Sequence, residues 1–350
     1  MIATLMTQHA ASNDESLPSP RRLTETVFRM RESGIVVVLV VFVVVATSIQ
    51  HRFLSESNLQ FILVNTTVFA LLALGETMVV ISRNVDLSVG SVLGLSAYVS
   101  TNLFSQVHGM PIPVVFLVGI GIGLVCGSVN GAIVAIGRVP SLVVTLATLY
   151  VIRGVDILIV GGNEVVAQSL PNRFLAIPRK TVGGVPYIAI AVAIVIAAGA
   201  YYLRAYRSGR ELYAIGSNPD GARLAGIQVG RRIFTAFAVS GAIAGLAGVL
   251  WAAQYETIDS SAGTGYELQV VAAVVVGGVA IFGGSGSAVG AALGALLLNT
   301  INTALNVLGV SPNWDSTISG SLLLIAIILD RLIAVRVANA LRIRSAHRVS

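Results

Sequence analysis

The stretch Arg204-Ala-Tyr-Arg-Ser-Gly-Arg-Glu-Leu-Tyr-Ala-Ile-Gly-Ser-Asn-Pro-Asp-Gly-Ala-Arg-Leu-Ala-Gly-Ile-Gln-Val-Gly-Arg-Arg232 separates two strongly apolar halves of the chain. It carries Arg204, Arg207, Arg210, Arg223, Arg231 and Arg232 against only Glu211 and Asp220. Basic loops resist translocation across a bilayer, so the segment is expected in the cytosol. A short helix inside it has readable ends. Asn218 is a good N-cap, Pro219 suits the first helical position and Asp220 complements the positive helix end. Gly226 supplies the stop. The bland reading is an amphipathic loop between two spans; the sharper one is a rigid knob presented to a partner protein.

Outward from that stretch, lipid is the only solvent that fits. Of 350 residues 55% are hydrophobic and 11% charged, with a mean hydropathy of +0.86. A soluble domain cannot bury that apolar fraction. The net charge of +6 raises the question of nucleic acid. The arginines, however, cluster between apolar runs, a pattern of membrane topology that leaves no nucleic-acid partner to expect. Cys126 is the single cysteine, so neither a disulfide framework nor a thiolate metal site is expected. Residues 1–33 are polar, lack the apolar core of a cleavable signal and read as a cytosolic tail, with Leu23 to Met30 as a short interfacial helix.

Apolar runs place ten spans near 34–50, 59–82, 86–104, 112–136, 140–160, 186–203, 233–254, 267–282, 287–309 and 315–334. The expected fold is an all-α polytopic bundle over 34–334, with a basic cytosolic tail over 335–350. The first run, rich in valine, has β propensity, but a lone strand in lipid leaves its backbone groups unpaired. With the N-terminus inside, 17 Lys and Arg residues fall in inner segments and 4 in outer ones; the reverse orientation inverts that ratio. Residues 161–185 and 255–267 then face outward as polar segments, either touching an external partner or simply solvated.

Small residues recur four apart at Gly90/Gly94, Gly127/Gly131, Gly241/Gly245 and Gly290/Gly294, which lets helices approach closely. Val89 to Gly94 echoes Val289 to Gly294, read as shared packing chemistry. The glycine runs at 119–123 and 283–286 lack a dinucleotide-binding context and read as packing or turn glycines. No Gly-Lys-Ser/Thr triplet exists for ATP, and the four histidines lie outside the spans, which argues against an intramembrane metal site or Ser–His protease. No cofactor is called for.

Ionisable residues in or beside the spans are Glu76, Asp86, Arg153, Asp156, Glu267 and Asp330, and buried charge is costly enough to be functional by default. Plain roles exist for several. Asp86 can cap the helix starting at Leu87, and Arg153 and Asp156 can pair on one helix face. Glu76 is the hardest to dismiss. Asn299, Asn302 and Asn306 make one face of a span polar, for buried hydrogen bonding or for a wet pathway.

Several stretches together resemble one family: Leu71-Leu-Ala-Leu-Gly-Glu-Thr-Met78, Val85-Asp-Leu-Ser-Val-Gly-Ser91, Asn130-Gly131, Pro140 to Gly154, Ala214 to Asn218 with Ala222 to Ile227, and Gly263-Thr-Gly-Tyr-Glu-Leu268 leading to Gly277-Gly278. These resemble the permease subunits of bacterial ATP-binding-cassette importers for monosaccharides of the ribose, rhamnose, xylose and autoinducer-2 type, and more distantly branched-chain amino-acid permeases. The resemblance implies a type II importer-like bundle that is not itself an enzyme. Its partners would be a cytosolic ATPase subunit, a second permease subunit (a copy or a paralogue), an extracytoplasmic sugar-binding protein and membrane lipids. Residues 218–227 resemble the coupling helix that docks on the ATPase, which assigns Asn218, Pro219, Asp220, Arg223, Leu224 and Gly226 to coupling. Related permeases often read Asn-Glu-Ala-Ala-Thr-Arg-Leu-Ser-Gly-Ile there, so Pro219 and Gly221 are departures, and Gly221 weakens a short helix by about 1 kcal/mol relative to Ala. Glu76, Asp86, Asn130, Tyr266, Glu267, Asn299 and Asn302 are assigned to the translocation path of a small neutral sugar. An ion-coupled secondary transporter and an intramembrane enzyme are the rivals outside the family.

Overall fold

The structure is a computed structural model that describes residues 20–309 apart from 108 and 256, and isolated positions between 314 and 328. The remaining residues of the expected tails and most of the tenth span, 315–334, lie outside the described residues.

Each expected span on described residues contains a helix, of full length everywhere but at 267–282. These are α1 (Pro20–Ile49), α2 (Glu56–Ile81), α3 (Val89–Gln106), α4 (Ile112–Ala135) and α5 (Ser141–Val160). After a four-residue helix α6 (Asn172–Leu175) come α7 (Tyr187–Ala205), α8 (Arg207–Ser217), α9 (Pro219–Leu224), α10 (Val229–Tyr255), α11 (Tyr266–Val276) and α12 (Ala288–Val307). The valine-rich first run is helical despite its β propensity, since a helix satisfies its own backbone in lipid. Helices α2, α4, α5, α7, α10 and α12 are long and apolar enough to cross a membrane.

α2 forms the axis of the bundle, packed against α7, α10, α11 and α12. Leu71, Leu72, Ala73 and Leu74 are fully enclosed, as befits a helix apolar on every side. α4 and α10 are joined along a seam of glycines. Gly127 and Gly131 of α4 face Gly241, Phe234 and Phe237 of α10, and Gly119 and Gly123 face Gly245 and Gly241. A Cβ at any of these positions would strike the opposite backbone, so the helices touch main chain to main chain.

Two stretches depart from the expected layout. Residues 267–282 do not form a full span. α11 has 11 residues, about 16 Å of helix against a hydrocarbon core of about 30 Å. It is followed by an irregular segment in which Gly283 and Gly284 have φ of +81° and +77°. Residues 255–267 are likewise more than an outer loop. Thr257–Ile258 pairs with Val165–Val166, after which the chain turns inward, burying Ala262 and Gly263 against Gly90 and Gly94 of α3. The two echoing motifs therefore grip opposite ends of one short helix: Gly90 meets Glu267, while Gly290 and Gly294 meet Gly277 and Ala273. Residues 161–185 are also more than a solvated connection, because Leu170, Phe174 and Leu175 join a core cluster with α3 and α10.

Candidate functional site

The arginine-rich face carries a helical hairpin built from α8 and α9. Asn218 Oδ1 accepts a hydrogen bond from the Gly221 backbone N–H at 2.9 Å, Pro219 occupies the first turn, and Gly226 has a φ of +78°. The Ile227 N–H returns to the Ala222 carbonyl at 3.0 Å and that of Gly226 to Arg223 at 3.0 Å, closing the C-terminal end. Ile227, Ala222, Ile215 and Val229 pack beneath it. The departure at Gly221 has a local reason: a Cβ there would come within 3.0 Å of Asn218 Nδ2, so glycine leaves room for the cap. Asp220 and Arg223 pair at 3.0 Å in full solvent, an arrangement that adds little stability. Leu224 is 91% exposed at the tip.

This hairpin is tied firmly to the bundle. Glu211 accepts from Arg207 Nε at 2.8 Å and from Arg232 Nε at 2.5 Å, clamping α8 to the start of α10. Burial alone would raise the Glu211 carboxyl pKa, but the two guanidinium groups outweigh it and hold the carboxyl below its ordinary range. Gly216 lies directly against the Ile81 carbonyl and Gly284, whose N–H donates to Ile81 at 2.9 Å. Tyr213 donates to the Gly286 carbonyl at 3.0 Å. The hairpin thus contacts the end of α2 and the segment after α11 directly.

The acids and amides singled out in the sequence fall into separate groups. Glu76, Asp86 and Asn130 belong to one buried network. Glu76 Oε1 accepts from the Asp86 N–H at 3.0 Å, Asp86 Oδ1 accepts from Ser88 N and Oγ at 2.9 and 2.6 Å, and Asn130 Nδ2 donates to Ser88 Oγ at 2.8 Å. It joins α2, α3 and α4 through the 82–88 turn. α3 begins at Val89 with Ser88 as its cap residue, so Asp86 acts through Ser88 and not directly on a helix starting at Leu87. Arg153 and Asp156 do pair, at 3.8 Å. The same guanidinium also donates to the Ser260 and Ala262 carbonyls at 3.1 and 2.6 Å, pinning the inward turn before α11.

Asn299 is a buried tie, donating to the Ile62 carbonyl at 2.9 Å and to Thr66 Oγ1 at 3.0 Å, which joins α12 to α2. Asn302, a turn further on, lines with Phe69, Gln269 and Asn299 a cavity of about 10 Å³, room for about one water. Tyr266 opens α11 with its ring stacked on Phe69, centroids 4.5 Å apart, and Glu267 lies against Gly90. Sequence reasoning missed Phe69, Trp251, Tyr255 and Gln269 around Tyr266. Their signal is polar and aromatic side chains on span residues, spread over three helices with no spacing to link them.

The fold and these sites together define a multi-pass helical membrane protein with a broken helix inside its bundle and a rigid hairpin on its arginine-rich face. The chain belongs to the family described as branched-chain amino acid transport system / permease component, which matches residues 58–327. It is 35% identical over 317 residues to the ribose import permease protein RbsC of Escherichia coli strain K12, covering 89% of this chain and 97% of that protein. It is 33% identical over 306 residues to the autoinducer 2 import system permease protein LsrC of Enterobacter sp. strain 638, covering 87% and 88%. No solved structure gives a significant match.

Proposed function

We propose that this chain is the membrane-spanning subunit of an ATP-driven importer for a small neutral sugar. The single observation that carries the reading is the α8–α9 hairpin: a short helix capped at both ends, anchored through Glu211 and Gly216, with Leu224 91% exposed at its tip. An apolar side chain so displayed on a rigid mount suits docking into a partner groove. The partner is a cytosolic ATPase subunit, whose hydrolysis moves the hairpin and so switches access through the bundle. The arginine asymmetry orients the hairpin and both termini toward the cytosol, in a bacterial cell membrane. An extracytoplasmic binding protein delivers the substrate on the opposite face, and a second permease subunit completes the path.

The names of the relatives, ribose and autoinducer 2 import permeases, support a sugar-like cargo. So does the charge inside the bundle. Arg153 is committed to two carbonyls and Asp156, so among the described residues within the bundle an anionic cargo finds no free counter-charge and crosses at a cost of several kcal/mol. A neutral polyol needs only exchangeable hydrogen bonds. The family description favours a second reading, a branched-chain amino-acid cargo. Uptake into ATP-loaded vesicles with labelled ribose, rhamnose, leucine and ribose 5-phosphate separates the two. Ribose or rhamnose is expected to be moved; preferred uptake of leucine or of the phosphate overturns the assignment.

A further inference from the structure

We propose that Asn65, Phe69, Trp251, Tyr255, Tyr266 and Gln269 form the wall on which the sugar makes contact as it enters the bundle, a step that rests on the transport reading above. The six residues come from α2, α10 and α11 and meet where α11 begins inside the bundle. The Phe69 and Tyr266 rings stack at 4.5 Å, as do those of Trp251 and Tyr255. Trp251 Nε1 donates to the Tyr266 hydroxyl at 3.0 Å, the Tyr255 hydroxyl donates to Asn65 Oδ1 at 3.0 Å, and the two tyrosine hydroxyls lie 3.5 Å apart. Gln269 stands one turn beyond Tyr266 beside the Asn302 cavity.

Exposure decides what this cluster is for. Asn65 is buried, but Phe69, Trp251, Tyr266 and Gln269 are only half-buried and Tyr255 is 43% exposed. Elsewhere the exposed span surface is mostly hydrocarbon, as at Val37 of α1, Val151 and Leu158 of α5 and Ile194 of α7, between 60% and 82% exposed, with single phenols at Tyr150 of α5 and Tyr201 of α7. An amide such as the half-buried Gln269 is costly against lipid and belongs on a wet wall, and the hydroxyls joined to one another beside it extend that wall. Flat rings beside amides suit a monosaccharide, whose C–H faces are apolar and whose rim is hydroxyl. No charged side chain is among the six, so the wall offers a phosphate no counter-charge. The hydroxyl and amide hydrogen bonds now made within the cluster can be exchanged for those of the sugar. The wall runs from the starting half of α2 to its midpoint at Phe69 and along the closing half of α10, which is the side away from the hairpin and the side at which a binding protein would release its cargo.

The test uses the reconstituted complex with its ATPase subunit and binding protein, in vesicles supplied with labelled ribose and rhamnose. Uptake by the unaltered chain tests the transport reading; if neither sugar moves, that reading falls and this proposal with it. Tyr266→Phe, Gln269→Leu and Phe69→Leu then test the wall itself. A residue that touches the sugar changes the ribose-to-rhamnose uptake ratio, here by about three- to tenfold, the size expected for one lost hydrogen bond or ring contact. A residue that merely holds the fold lowers both sugars alike. A changed ratio in at least one variant supports the wall; an unchanged ratio in all three overturns it while leaving the transport reading intact. Melting temperature checks folding, and Tyr266→Phe removes a single oxygen should the larger changes unfold the chain.

Discussion

Leu224→Asp separates docking from folding. Leu224 is 91% exposed, so its replacement should alter the stability of the isolated chain by less than about 0.5 kcal/mol. Docking is another matter. Burying the leucine in a partner groove contributes about 1.5–3 kcal/mol, and an aspartate in its place forfeits that and adds the desolvation of a charge. The combined loss exceeds about 3 kcal/mol, or more than about a hundredfold in docking affinity. The purified variant should melt within about 2 °C of the unaltered chain, fail to co-elute with the ATPase subunit and lose ATP-driven uptake. Normal co-elution and uptake would remove residues 218–227 from their proposed role.

Three further outcomes follow from the same geometry. Gly216→Ala should gain about 1 kcal/mol of helix propensity but lose about 3 kcal/mol to overpacking, the upper end of the usual range, because its methyl strikes the Ile81 carbonyl and Gly284 backbone, for a net loss of about 2 kcal/mol; an unchanged melting temperature would show that the hairpin is not wedged there. Glu211 has a lowered carboxyl pKa, so its clamp contributes fully above the ordinary carboxylate pKa and is lost as pH falls through the lowered folded value. Glu211→Gln should therefore melt lower than the unaltered chain at neutral pH, with the difference closing in acid; a difference independent of pH would deny the carboxylate its part. Cysteines placed at Ser217 and Gln168, in a chain lacking Cys126, should label from opposite sides of intact cells, and labelling of both from outside would contradict the proposed orientation.

Much of the architecture was legible because lipid simplifies the code. Apolar runs have to become helices, and glycines four apart have to find a partner, as Gly241 and Gly245 do along α4. The caps of α9 were legible because Asn218, Pro219 and Gly226 act on their own backbone. The short α11 was not. Hydropathy counts apolar residues through to Phe282 and is blind to where the backbone stops being helical. The inward turn before it depends on Arg153 reaching carbonyls more than a hundred residues away, while spacing alone shows only the nearer Asp156. Glu76 stood out rightly as a buried acid, but its donor is a backbone N–H supplied by the 82–88 turn. The aromatic wall was hidden for the same reason: its residues meet only after three helices pack.

The most direct measurement places the chain in sealed vesicles with its ATPase subunit inside and a loaded sugar-binding protein outside, and follows the energy source. Labelled ribose or rhamnose should accumulate only when hydrolysable ATP is enclosed, and a protonophore should leave the rate unchanged. Accumulation without ATP that collapses on dissipating an ion gradient would mean that this chain is an ion-coupled transporter and that the α8–α9 hairpin docks on no ATPase.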